Sequence, residues 1–198
     1  MISALLPSLV LMLSSATSAS SAVEDVRWQL DMKPSHVGTV TCDGVQGNGT
    51  YLYMVFDVAN KNGRDVPFKL SLQADTDVAG RSYRAVFDPV VKAAVERRKG
   101  KKFKTLSELR GTIEDGASAS CIASFGKIDP NVDDFYIHVQ GLKDRVFVDR
   151  YKTYVEDMAL TFTYVRPGDE FYRQFDLLRF KSRKWTTEKE RAELRRAR

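Results

Sequence analysis

Cysteine and histidine are scarce: the 198 residues hold two of each. Two cysteines, Cys42 and Cys121, cannot build a disulfide-dense scaffold or a four-thiolate zinc site. Imidazole, the usual general base near neutral pH, is confined to His36 and His138, and neither stands beside a Ser or Cys nucleophile in a recognisable motif. The stretch "GASAS" at 116–120 lacks the Gly-x-Ser-x-Gly spacing of a nucleophile elbow. Charge is missing altogether from residues 1–22. Their apolar run from Ala4 to Leu13 is far short of the roughly 20 residues that cross a bilayer. Small residues follow it, with Ser20 and Ala22 suited to the −3 and −1 positions of a signal-peptidase site. The expectation is a signal peptide over 1–22, a mature chain from Val23 without a transmembrane segment, and a secreted or periplasmic, cell-envelope location.

What is present reads as β-structure. Short runs with period-two alternation and β-branched or aromatic enrichment recur at 26–32, 37–42, 50–60, 66–74, 81–88, 117–125, 135–141, 145–155, 158–166 and 177–185. Asn62-Gly63, between two of them, signals a hairpin because both residues tolerate positive φ, and "DGVQGNG" at 43–49 reads as a longer glycine-rich connection. Alternation places both cysteines on inward faces, either bridged or as two buried thiols. One helical insertion interrupts the pattern over 89–110 and is expected to cap one end of the fold. Asp88 is suited to cap a helix over 89–99, with Pro89 at its first position and Gly100 as its stop, and Val90, Val91, Ala94 and Val95 form its apolar face. From 186 onward strong helix formers take over, with Thr187 and Glu190 spaced as a capping box and Leu194 as the one sizeable apolar residue. Residues 186–198 are therefore expected as a basic tail, solvated and helical or disordered.

The expected fold is mainly β: an immunoglobulin-like antiparallel β-sandwich over 23–185. The order "YLYMVFDVANKNGRDVPF", "LSLQADTDVAGRSY", "GTIEDGASASCIASF", "FYIHVQGL" resembles the telokin-like immunoglobulin-like domains of bacterial secreted proteins and lipoproteins of unknown function. Asn60, Asp77, Gly80, Tyr83, Gly116 and Phe125 occupy positions of that pattern, over roughly residues 36–142. The resemblance implies a fold and an envelope location and supplies no catalytic residue, and the helical insertion and C-terminal part fall outside it.

Candidate chemistry is sparse. Asp129, Asn131 and Asp133 have the alternate spacing of a calcium loop, but Asp134 stands where Gly is needed and Gln140 where Glu is needed, so no metal or cofactor is expected. His138 alternates with Tyr136 and Gln140, away from Phe135, Ile137 and Val139, as a solvent-face residue; His36 sits at a strand entrance. Pro167-Gly168 suits a type II turn, so Arg166, Pro167, Gly168, Asp169 and Glu170 read as a structural corner. Charge is more telling. Residues 181–198 hold eight Lys/Arg and three Asp/Glu, so the whole net charge of +5 lies there, and a second basic block runs from Lys92 to Lys104 with Glu96 as its one acid. Lys92, Arg97, Arg98, Lys101, Lys102, Arg195 and Arg196 are the candidate contacts to an anionic polymer or acidic protein surface. Aromatic interleaving is thin, and nucleic acid is not the expected partner. The expectation is a non-enzymatic exported interaction or structural module of the envelope. The alternative is a carbohydrate-active or metal-assisted enzyme using Asp75, Asp77, Asp169 and Glu170.

Overall fold

The computed structural model describes residues 23–78, 81–129, 131–149, 152–155, 158–166 and 178–196. The proposed signal peptide, Gly80, and Pro167, Gly168, Asp169 and Glu170 of the expected corner lie outside them. Among the described residues the chain is mainly β, with two helices. A four-stranded sheet runs in the order β2 (Asp31–Gly44), β3 (Gly47–Ala59), β9 (Ser118–Lys127), β7 (Lys104–Thr105). A five-stranded sheet runs β14 (Arg179–Thr186), β13 (Ala159–Val165), β10 (Asp134–Gln140), β5 (Ser71–Thr76), β6 (Ser82–Arg84). Two smaller sheets join β1 (Val23–Gln29), β11 (Lys143–Asp149) and β12 (Lys152–Val155), and β4 (Val66–Phe68) with β8 (Gly111–Ile113). All pairings are antiparallel except the short β7–β9 contact.

The two large sheets share one hydrophobic core. Leu52, Met54 and Phe56 of β3 and Ala123 and Phe125 of β9 meet Leu72, Phe135, Ile137, Leu160 and Phe162 of the five-stranded sheet. β3 is buried on both faces, which explains why its "YLYMVF" is an unbroken apolar run. Its other face, Tyr51, Tyr53 and Val55, packs with Ile122 against Val91, Val95 and Phe103. Helix α1 (Pro89–Lys99) thus lies on the outer face of the four-stranded sheet, where the sequence suggested a cap on one end of the fold. Burying Val91 and Val95 contributes roughly 1.5–3 kcal/mol each. Val90, expected on the same face, is exposed. The ends of α1 match the sequence reading. Asp88 Oδ1 accepts from the amides of Val90 (3.0 Å) and Val91 (3.1 Å), and Gly100 ends the helix at φ 63°.

Three expected connections differ. Asn62-Gly63 does form a turn, with Gly63 at φ 71°, but the flanking strands do not pair: β3 lies between β2 and β9, and β4 pairs with β8. A turn dipeptide sets local direction and leaves the choice of partner to the core. Most of the glycine-rich 43–49 stretch is strand, and β2 and β3 join through Val45-Gln46 alone. The cysteines face opposite ways across one sheet. Cys121 sits in the shared core and Cys42 under α1, and both are free thiols, so the bridged alternative fails on geometry. Burial pushes the Cys121 thiol up to about 12 and raises that of Cys42 as well, with Asp88 and Asp43 adding to the latter.

Candidate functional site

The block from Lys92 to Lys104 occupies the second half of α1 and the turn after it. Its one acid points inward. Glu96 Oε1 accepts from Lys92 Nζ (2.7 Å) and the Phe103 amide (2.9 Å), and Oε2 from Lys102 Nζ (3.0 Å). Those hydrogen bonds, that of Lys92 foremost, outweigh burial and hold the carboxyl at about 2. Arg97, Arg98, Lys99, Lys101, Lys102 and Lys104 are exposed. Arg98 donates to the Thr39 carbonyl (3.3 Å); Lys101 donates to Ser120 Oγ (2.8 Å) and lies 5.8 Å from the centre of the Phe103 ring. The field of this cluster registers at His36, half-buried and 5.6 Å from the Tyr53 ring. Burial, then Lys99 and Arg98, lower its pKa.

The second basic block is organised otherwise than the sequence suggests. Helix α2 (Glu188–Arg196) begins with the expected capping box, Thr187 N donating to Glu190 Oε2 (2.7 Å) and Glu190 N to Thr187 Oγ1 (3.3 Å). It is not merely solvated. Arg191 is buried and donates to the Thr186 carbonyl (2.9 Å), Thr186 is fully buried, and Arg195 Nε stands 3.3 Å from Asp75 Oδ2. With Leu194 as its one sizeable apolar side chain, the segment docks through guanidinium groups. Arg195 is therefore engaged within the protein, while Arg196 stays exposed.

Beneath Arg195 lies a polar network that alternation could not reveal. His138 does sit on the outer face of β10, yet it is 4% exposed and Asp75 2%. His138 Nδ1 is 2.8 Å from Thr161 Oγ1, which is 2.6 Å from Thr186 Oγ1; His138 Nε2 is 3.2 Å from Asp75 Oδ2. That last approach is a close contact without the alignment of a good hydrogen bond. Gln73 Nε2 and Ser82 Oγ each donate to Asp75 Oδ1 at 2.8 Å. Burial pushes the Asp75 pKa up, but the His138 contact and the Gln73 and Ser82 hydrogen bonds outweigh it and hold the carboxyl well below its ordinary range. The order Asp–His–Thr resembles a proton relay. Both hydroxyls are sealed from solvent, however, and Thr186 Oγ1 also bonds the Ala159 carbonyl at 3.3 Å, so the array links β5, β10, β13 and β14 side by side. Strand register assembles it, setting His138 beside Thr161 and Gln73, and Asp75 beside Tyr136.

The remaining candidates are local fasteners. Asp129 Oδ1 accepts from the Asn131 amide (2.9 Å) and Oδ2 pairs with Arg81 (3.3 Å), while the Asp133 amide donates to Asp77 Oδ1 (3.2 Å). Among the described residues no three His, Cys, Asp or Glu side chains gather as a metal site. Of the corner, Arg166 is described: its amide donates to the Asp133 carbonyl (2.6 Å) and its guanidinium lies 5.7 Å from the Phe135 ring centre. Asp75 and Asp77 are thus both engaged internally, and Asp169 and Glu170 lie outside the described residues. No helix among the described residues is long and apolar enough to cross a membrane. Comparison of the chain with protein-family models, with curated proteins and with solved structures finds no match.

Proposed function

We propose that the protein is a non-catalytic, exported β-sandwich module of immunoglobulin-like type that attaches to anionic surfaces through the end of α1. The single observation that carries this reading is the arrangement from Arg97 to Lys104: six exposed cations on one helix end and turn, with the lone carboxylate, Glu96, folded beneath them. Such a surface attracts a wall polymer, lipid headgroups or an acidic protein face electrostatically, over about 8–10 Å at physiological salt. Part of the charge has a local use, since cations in the last helical turn favour the helix dipole, but Lys101, Lys102 and Lys104 lie past that turn. The immunoglobulin-like and telokin-like parts of the proposal find support in the shared core. Asn60 is buried and donates to the Arg64 (2.8 Å) and Ile113 (2.9 Å) carbonyls, Tyr83 Oη accepts from the Asp129 amide (3.2 Å), and Phe125 is in the core. Support for a non-catalytic role comes from the internal engagement of Asp75 and Asp77, which the enzyme reading needs free.

The test is retention on an anionic matrix, heparin for instance, under a salt gradient. Wild type should bind at low ionic strength and elute as salt rises, and Arg97→Gln/Lys101→Gln/Lys102→Gln should elute markedly earlier. Co-elution of the two proteins would overturn the reading.

A further inference from the structure

Along one edge the two large sheets part. There β5, β9, the turn from Thr105 to Arg110 and the stretch from Arg84 to Asp88, which the Val86 amide ties to the Ser124 carbonyl of β9 (2.8 Å), line a cleft of about 350 Å3. That is within the roughly 300–1,000 Å3 of small-molecule sites. The floor is apolar, with Leu72, Ile122 and Ala123 buried and Leu106 half-buried at the side. Folding leaves the mouth apolar as well: Val86 is 49% and Phe87 61% exposed. Val45, whose amide donates to Asp88 Oδ2 (2.8 Å), and Val90, in the first turn of α1, extend the patch. Four of the five exposed large apolar side chains among the described residues, Phe180 being the fifth, thus gather around Asp88. Contiguous exposed apolar surface of this kind commonly marks a binding site.

The rim is cationic. Arg84, Lys92 and Arg110 line it. Lys92 is held by Glu96, but among the described residues neither Arg84 nor Arg110 has an ion pair or a side-chain hydrogen bond. The carboxylate that lines the cleft, Asp88, forms no ion pair with them among the described residues; its oxygens take the amides of Val45, Val90 and Val91. We propose that this cleft binds a small amphipathic monoanion, an aliphatic or aromatic body carrying one carboxylate. The body lies on Leu72, Leu106 and Ile122, and the head meets a guanidinium at the rim, the cation best shaped for a carboxylate. A neutral hydrocarbon would leave the guanidiniums unused, and a hydrophilic polyanion would leave the floor unused. The site is separate from the basic surface already described. None of Arg97–Lys104 lines it, although Thr105 follows directly on Lys104.

Calorimetric titration of the full chain with dodecanoate, kept below its micelle concentration, tests the proposal beside dodecanol and acetate. One dodecanoate should bind per chain, at least about tenfold more tightly than dodecanol, because one charge-assisted hydrogen bond contributes that much. Arg84→Gln/Arg110→Gln should lose about as much, and amide chemical shifts should move at Leu72, Leu106 and Ile122. The wild-type comparison of dodecanoate with dodecanol stands even if the double variant folds poorly. Absence of dodecanoate binding, equal affinity for dodecanol, or undiminished affinity in a folded double variant would overturn the proposal. So would shifts confined to Arg97–Lys104, which would leave the basic-surface reading standing and move the anion there.

Discussion

Replacing His138 by Leu asks whether the outer face of the five-stranded sheet is sealed. A solvent-face histidine, as strand alternation alone has it, would change stability by no more than about 0.5 kcal/mol when substituted. In the structure it is buried against an equally buried carboxylate. Leucine is close to histidine in size, so the effect is electrostatic and not one of packing volume. Asp75 Oδ1 keeps Gln73 and Ser82, while Oδ2 loses His138 and keeps Arg195, whose side chain is 48% exposed. The cost should exceed that of one ordinary hydrogen bond, here His138 to Thr161, about 0.5–1.5 kcal/mol, and fall short of stripping a buried charge of its partner, about 3–5 kcal/mol. With Arg195 still in place, about 2–3 kcal/mol is expected. Urea unfolding followed by the fluorescence of Trp28 and Trp185 should show a lower midpoint at unchanged slope. Adding Asp75→Asn should cost less in the His138→Leu background than in wild type, with a coupling of at least about 1 kcal/mol. A His138→Leu protein within about 0.5 kcal/mol of wild type, or an additive cycle, would refute the sealed pair.

Two further outcomes concern stability. The Glu96 carboxyl lies at about 2 against an ordinary 4.5, so its contribution is fully present above 4.5 and fades as pH falls towards 2. Allowing for solvent screening at Lys102, which is 90% exposed, Glu96→Gln should cost about 1–2 kcal/mol at neutral pH and far less near pH 2. A difference between the two proteins that is independent of pH, measured by urea unfolding at both values, would contradict the geometry. Gly141 joins β10 to β11 at φ 81°, and a Cβ there would strike the Lys69 carbonyl oxygen. Gly141→Ala should therefore lower stability by at least about 1–3 kcal/mol, and an unchanged thermal midpoint would show that the link is not under this constraint.

Local chemistry determined a good deal of this protein in advance. Alternation and β-branched runs placed most of the strands. Asp88, Pro89 and Gly100 bounded α1 to the residue, and Thr187 with Glu190 marked the start of α2, because caps are satisfied by neighbours a few positions away. The cationic segment after Glu96 was legible as well, since charge can be counted along the chain. Tertiary structure decided which surfaces are outside. A period of two distinguishes one face of a strand from the other but not a covered face from a wet one. Hence His138 reads as solvated until α2 brings Arg195 over it, and the choice between a Cys42–Cys121 bridge and two buried thiols stays open until β3 is found between their strands. The docking of α2 escaped detection for a related reason: it rests on Arg191 and Arg195 reaching particular oxygens, and charged side chains carry no periodic apolar signal. The cleft beside Asp88 is of the same kind, its floor and rim coming from β5, β9 and two turns far apart in sequence that only the pairing of sheets brings together.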